Sequence, residues 1–239
     1  VRAFNEAIVE VTHDLAVAYK LNLAFYEALG DEGWSDLEAT IAYIRSKGDC
    51  FIIADAKRGD IGNTARKYAE AFFDRLGVDA VTISPYMGRD SIEPFVGRKG
   101  KWAIVLGVTS NAGAKDFQFL NVNGDRPLFE TVIRTVVSWT SPLDTMFVVG
   151  ATHIDVLEQA RAAAPDSFFL VPGVGAQGGD LDAVLDKCMT KDGGVLINSS
   201  RGILYAGAGV DGIPAARKAA LELQRTMALR MISKGVIAK

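Results

Sequence analysis

Phe51-Ile-Ile-Ala-Asp-Ala-Lys-Arg-Gly-Asp-Ile-Gly-Asn-Thr64 is the stretch that decides how the chain folds. The apolar run from Cys50 to Ala54 has the length and composition of a buried parallel strand. Asp55, Lys57 and Asp60 follow at once, and the polar–apolar pattern from Ile61 to Leu76 predicts a helix. Residues two apart in a strand share a face, so Asp55 and Lys57 point the same way. If that face lines a barrel, two opposite charges stand where packing alone would place Val or Leu. Charges are rarely buried without a partner or a task. The plainer alternative is a structural ion pair at a strand end, with Asp60 capping the next helix.

Outward from this stretch the same unit repeats. Upstream, apolar residues at Phe4, Ile8, Val11, Leu15 and Ala18 have helical spacing, and Tyr19 to Phe25 reads as a strand with Lys20 and Asn22 on one face. Trp34 to Ser46 predicts a helix with Ser35 as N-cap. Downstream, strands are expected at Ala80–Ser84, Trp102–Val108, Met146–Val149, Phe168–Val171 and Gly194–Ile197. The helices between them are a short one at Ser91–Val96, one ending near Trp139, then Ile154–Ala164 and Leu181–Lys187, with a closing helix from Pro214 to about Ile232. Strands alternating with helices imply a parallel sheet. A doubly wound sheet is one solution. Polar residues crowding the C-terminal end of nearly every strand favour a (β/α)8 TIM barrel, a single domain over 1–239. The chain opens in a helix and yields seven strands, so the first strand is expected before Val1.

Composition narrows the function. Hydrophobic residues make up 49% of the 239, enough for one large core, and the net charge of -3 gives no electrostatic case for nucleic acid or an anionic membrane. No apolar run approaches the roughly 20 residues that a spanning helix needs, and Val1-Arg-Ala-Phe-Asn5 has no secretory pattern. A cytoplasmic protein is expected. Cys50 and Cys188 follow no metal spacing and read as small core or near-core residues rather than a disulfide. His13 and His153 lack nearby Cys or His partners in sequence, which argues against a histidine-built metal site.

Two segments late in the chain suggest phosphate binding. Gly173-Val-Gly-Ala-Gln-Gly-Gly179 follows an apolar strand and offers close backbone approach. Asn198-Ser-Ser-Arg201-Gly ends the next strand, and Arg201 could grip phosphate with two parallel hydrogen bonds. Many barrels bind phosphate after these last two strands.

The segment Asp55-Ala-Lys57-Arg-Gly-Asp60-Ile61-Gly62-Asn63-Thr64 closely resembles the signature of the orotidine 5'-monophosphate decarboxylase family. Lys20-Leu-Asn22 resembles the family's Lys-x-Asn segment, with Leu21 where many members carry Pro. Thr109-Ser110-Asn111 resembles the segment that contacts the pyrimidine edge, although a simple Ser/Thr turn would look the same. The glycine-rich loop is similar to the family's phosphate loop. The resemblance implies Gln177 and Arg201 as phosphate ligands, Pro172 beside the base, and Asn22, Ile61, Thr64, Thr109 and Ser110 as further substrate contacts. It implies that Lys20, Asp55, Lys57 and Asp60 form a catalytic array of alternating charge. The implied reaction is the loss of CO2 from orotidine 5'-monophosphate to give UMP, the activity of a carbon–carbon lyase in pyrimidine biosynthesis, with no metal or other cofactor required. It further implies a homodimer in which Asp60 and Thr64 serve the neighbouring subunit's site. The family's usual first strand, a Gly-Leu-Asp-Pro type segment supplying a ribose-binding Asp, does not occur in this sequence.

Two other readings compete. A sugar-phosphate enzyme on the same barrel also uses Asp-x-Lys-x-x-Asp but binds Mg2+; it needs extra carboxylates, for which only Glu27 and Asp90 lie nearby. A catalytically silent nucleotide sensor would have no use for the charges at 55, 57 and 60.

Overall fold

Apolar runs and amphipathic stretches alternate along the chain, and each run is buried as a strand beneath the stretch that follows. The computed structural model describes residues 1–122, 124–150, 154–174 and 180–238. Helix α1 (Arg2–Thr12) leads to β1 (Ala18–Asn22), followed by α2 (Leu23–Glu27) and α3 (Gly30–Ser46). Strand β2 (Phe51–Arg58) precedes α4 (Gly62–Ala69), which continues as a π-helical turn over Glu70–Arg75. Next come β3 (Ala80–Ile83), β4 (Trp102–Val108) and α5 (Leu128–Trp139), then β5 (Thr145–Val149) and α6 (Ile154–Ala163). The chain finishes with β6 (Phe169–Pro172), α7 (Leu181–Cys188), β7 (Val195–Asn198), α8 (Arg201–Leu204) and α9 (Gly212–Ser233).

The seven strands form one sheet in chain order, every adjacent pair parallel. Among the described residues no pairing joins β7 back to β1, so the barrel is nearly closed, with a seam between these two strands. Two apolar layers hold it. Ile53, Ala80, Ile104, Met146, Val148 and Leu170 form a cluster inside the barrel, and a larger cluster, including Ile52, Val81, Phe129 and Phe147, lies between sheet and helices. Successive strand residues alternate between the two, as the pleat requires. Ile53 faces inward, and Asp55, two residues on, therefore faces inward above it.

Several expected boundaries move. Helix α1 stops at Thr12 instead of reaching Ala18, where the Thr12 hydroxyl donates back to the Ile8 carbonyl and Leu15 and Ala16 both donate to the Thr12 carbonyl. Strand β1 stops at Asn22, short of Phe25, because the Asn22 side chain accepts the Ala24 N–H and caps α2. Helix α3 starts at Gly30, so Ser35 lies inside it and is not its cap, and Asp31 and Glu32 occupy the first turn where the helix dipole favours them. Glycine is required at position 33, where a Cβ would sit 1.8 Å from the Tyr26 carbonyl oxygen at the α2–α3 junction. Ser91–Val96 resolves into two 3-10 turns, Arg89–Ser91 and Glu93–Phe95. The loop ahead of α5 contains a small antiparallel ribbon, Asn121–Val122 with Arg126–Pro127.

Candidate active site

Strand β2 runs four residues past the expected end at Ala54, and this extension builds the site. Ala54 pairs with Val81 and Arg58 with Ile83, so a four-residue advance on β2 (54 to 58) matches two on β3 (81 to 83). The two surplus residues make a bulge at the top of the strand, a distortion that re-aims side chains near functional sites. Within it Lys57 has φ 47, the only left-handed non-glycine residue among those described. Simple alternation is therefore not what brings Lys57 to Asp55; the bulge does.

Asp55 is 8% exposed, and its carboxylate joins two lysines. Lys20 Nζ, from β1, donates to Oδ2 at 2.6 Å, and Lys57 Nζ donates to Oδ1 at 2.5 Å. The Thr82 hydroxyl, from β3, also donates to Oδ1, at 3.0 Å. Burial is the largest influence on the Asp55 carboxyl and by itself would push its pKa up. The attraction and hydrogen bonds of Lys20, with those of Lys57, together outweigh burial and hold it below the usual carboxylate range. Lys20 is largely buried, whereas the Lys57 side chain is 51% exposed at the barrel mouth. The arrangement is a buried anion presenting one cation upward to whatever occupies the mouth. Asn22 pairs with Asp55 in the β1–β2 register.

The other expected residues follow the C-terminal ends of strands but do not join this chain of charges. Asp60 accepts the N–H of Ile61 at 2.8 Å and, among the described residues, forms no ion pair with Lys57. Ile61 and Thr64 are exposed at the start of α4. Thr109 is engaged within its own loop. Its hydroxyl donates to Asn111 Oδ1 at 2.6 Å and accepts from Gln118 Nε2 at 2.9 Å, while its N–H donates to Gln118 Oε1 at 2.8 Å. Ser110 packs on Gly150, where a Cβ would come within 2.8 Å of the Ser110 nitrogen. Pro172 ends β6 and pairs in register with Asn198. Arg201 opens α8, is exposed, and has no ion-pair partner among the described residues. Gln177 and His153 lie outside the described residues. Both cysteines are free.

Sequence reasoning passed over four groups. Thr82 is a polar residue in an otherwise apolar strand, a signal that was available. Gln118 clamps Thr109, and Gly150 admits the Thr109–Ser110 loop; neither role has a local signature. Arg58 ion-pairs with Glu27, donates to the Ala56 carbonyl and stacks near Tyr68 and Phe72, which takes Glu27 into a structural contact. Among the described residues no group of three or more His, Cys, Asp or Glu side chains is arranged to hold a metal, and no helix is long and apolar enough to cross a membrane.

Comparison with known proteins gives a consistent answer. The family model described as "Orotidine 5'-phosphate decarboxylase / HUMPS family" matches residues 1–219. An orotidine 5'-phosphate decarboxylase of Flavobacterium johnsoniae is 50% identical over 232 residues, covering 97% of this chain and 85% of that protein. One of Bacteroides fragilis is 50% identical over 228 residues, covering 95% and 83%. Among solved structures, Leishmania donovani OMP decarboxylase superposes with a TM-score of 0.86 at 41% identity, covering 95% of this chain and 86% of that one.

Proposed function

The chain belongs to the orotidine 5'-phosphate decarboxylase family and is a lyase, and on that footing we propose that it converts orotidine 5'-monophosphate to UMP without a cofactor, using Lys57 as the proton donor. The observation that carries this reading is the Lys20–Asp55–Lys57 chain, with its buried anion and half-exposed outer ammonium.

The chemistry demands such a group. Breaking the bond between pyrimidine C6 and its carboxylate releases CO2 and leaves the electron pair on C6, where no adjacent carbonyl or imine delocalises it well. A cation already fixed at that carbon stabilises the developing charge without reorganising, often the largest part of catalysis. The Lys57 ammonium then gives a proton to C6, forming the new C–H bond, and the neutral amine is reprotonated from solvent. Asp55 lies beside the departing carboxylate and Lys20 holds Asp55 in place. The Thr109–Ser110 segment, with the Thr109 hydroxyl held by Asn111 and Gln118, faces the pyrimidine edge. Arg201, exposed and free of ion pairs among the described residues, takes the phosphate together with Gln177, with Pro172 and Asn22 lining the nucleotide. Asp60, Ile61 and Thr64 complete the neighbouring subunit's site in a homodimer, which accounts for Asp60 standing apart from its own chain's Lys57. The single domain spans the whole chain.

The test is turnover of orotidine 5'-monophosphate by the wild type and Lys57→Ala, with and without a chelator. Lys57→Ala is expected to lose at least about 10^3-fold in kcat, the scale of removing a key electrostatic group, while the chelator leaves the wild type unchanged. Near-normal turnover by Lys57→Ala discards the proton-donor role. Loss of activity on chelation returns the Mg2+-dependent alternative.

A further inference from the structure

We propose that Thr82 is a positioning residue for the reaction, holding both Asp55 and the backbone of Lys57 through one hydroxyl group. The proposal rests on the decarboxylase reading for its kinetic consequence, although the geometry stands by itself.

The bulge in β2 removes the ladder partner that the Lys57 N–H would otherwise meet on β3. Thr82 supplies it: the Lys57 N–H donates to Thr82 Oγ1 at 2.9 Å. Thr82 is 1% exposed, so its hydroxyl lies away from bulk solvent. A hydroxyl has one proton to give, and an N–H can only donate. The Thr82 oxygen therefore accepts from Lys57, and its single proton is directed at Asp55 Oδ1, 3.0 Å away. That is the same carboxylate oxygen that receives Lys57 Nζ at 2.5 Å. Backbone and side chain of Lys57 are thus tied to the same pair of atoms from two directions.

The tie matters because Lys57 has φ 47. A residue with a Cβ holds that conformation only where its surroundings over-determine it. The Thr82 hydroxyl is one such determinant, and Arg58 O, accepting the Ser84 N–H at 2.7 Å immediately above the bulge, is a second. Val at position 82 keeps the shape and the branching at Cβ but presents a methyl to the Lys57 N–H. The buried N–H is then orphaned, the backbone is driven toward an ordinary φ, and both the ammonium and the carboxylate lose their aim.

The experiment compares wild type, Thr82→Val and Thr82→Ser by three readings: kcat and KM for orotidine 5'-monophosphate, UMP affinity, and hydrogen exchange at the Lys57 amide. Thr82→Val is expected to lower kcat about 10^2-fold, the cost of a roughly 1 Å misplacement of a catalytic group, with UMP affinity unchanged. Thr82→Ser restores the hydroxyl and most of kcat. The Lys57 amide exchanges faster in Thr82→Val and is protected again in Thr82→Ser. Wild-type kcat in Thr82→Val, equal losses in both variants, or an unchanged exchange rate each overturn the proposal. If the wild type itself fails to turn over orotidine 5'-monophosphate, the decarboxylase reading falls alone, and the exchange measurement still decides whether Thr82 holds the bulge.

Discussion

Asp55 concentrates the electrostatics of the site in one side chain. Its carboxylate is buried between two lysines and a hydroxyl, so removing its charge leaves the largely buried Lys20 ammonium uncompensated. Breaking a buried pair from one side is strongly destabilising, and Asp55→Asn is expected to lower stability at neutral pH by roughly 3–5 kcal/mol, with near-complete loss of turnover. The pH dependence has a definite sign. The folded-state carboxyl titrates below its ordinary range, so its contribution is complete above the unfolded value of about 3.9 and disappears as pH falls through the lower folded value. Urea midpoints of wild type and Asp55→Asn at pH 7 and pH 3 measure this. The gap between the two proteins should narrow in acid, and a gap independent of pH would show that the ionised form is not what matters.

Among the elements, strand ends and their loops are where inference from sequence meets its boundary. The order of strands was legible because apolar runs and helical patterns alternate cleanly, and Trp102–Val108 is observed as read. Lys20, Asp55 and Lys57 were legible as charges at strand ends. The bulge was not, since register on β2 depends on how β3 pairs with it, a non-local fact that the spacing of Asp55 and Lys57 does not encode. Helix starts were also missed where a side-chain cap was absent: α3 begins after Leu29, which offers no side-chain hydrogen bond. The same limit hid Gly150. An added Cβ there would lie 2.8 Å from the Ser110 nitrogen and 3.0 Å from the Thr109 carbonyl carbon, so the loop proposed to read the base must shift. Overpacking of this kind costs about 1–3 kcal/mol, and Gly150→Ala is expected to weaken UMP binding about tenfold or more by titration calorimetry. Unchanged affinity would mean that this loop does not touch the nucleotide.

Taken as a whole, the molecule carries an apolar rim on the segments that follow its strands. Phe25, Ile61, Tyr86, Met87 and Phe117 are all exposed, with Tyr86 at 89%. A rim of this kind beside charged mouth residues fits a second copy of the chain, in line with the proposed sharing of Asp60. Mixing two inactive proteins, Lys57→Ala and Asp60→Ala, tests that sharing. If each site combines Lys57 of one subunit with Asp60 of the other, random reassociation at equal amounts leaves one intact site in each mixed dimer, about a quarter of all sites, and activity returns accordingly. No recovery after exchange of subunits would confine each site to one chain. The left-handed conformation at position 57 bears on endurance as well as chemistry. A Cβ there costs about 1–2 kcal/mol that glycine would not incur. Lys57→Gly should therefore be inert yet melt above Lys57→Ala, which loses the same ammonium but keeps the Cβ, by about 2–4 °C per kcal/mol for a chain of this size, as scanning calorimetry would register. An unstrained backbone at this position and the proposed proton donor exclude one another, so hardier descendants of this protein must gain their robustness elsewhere.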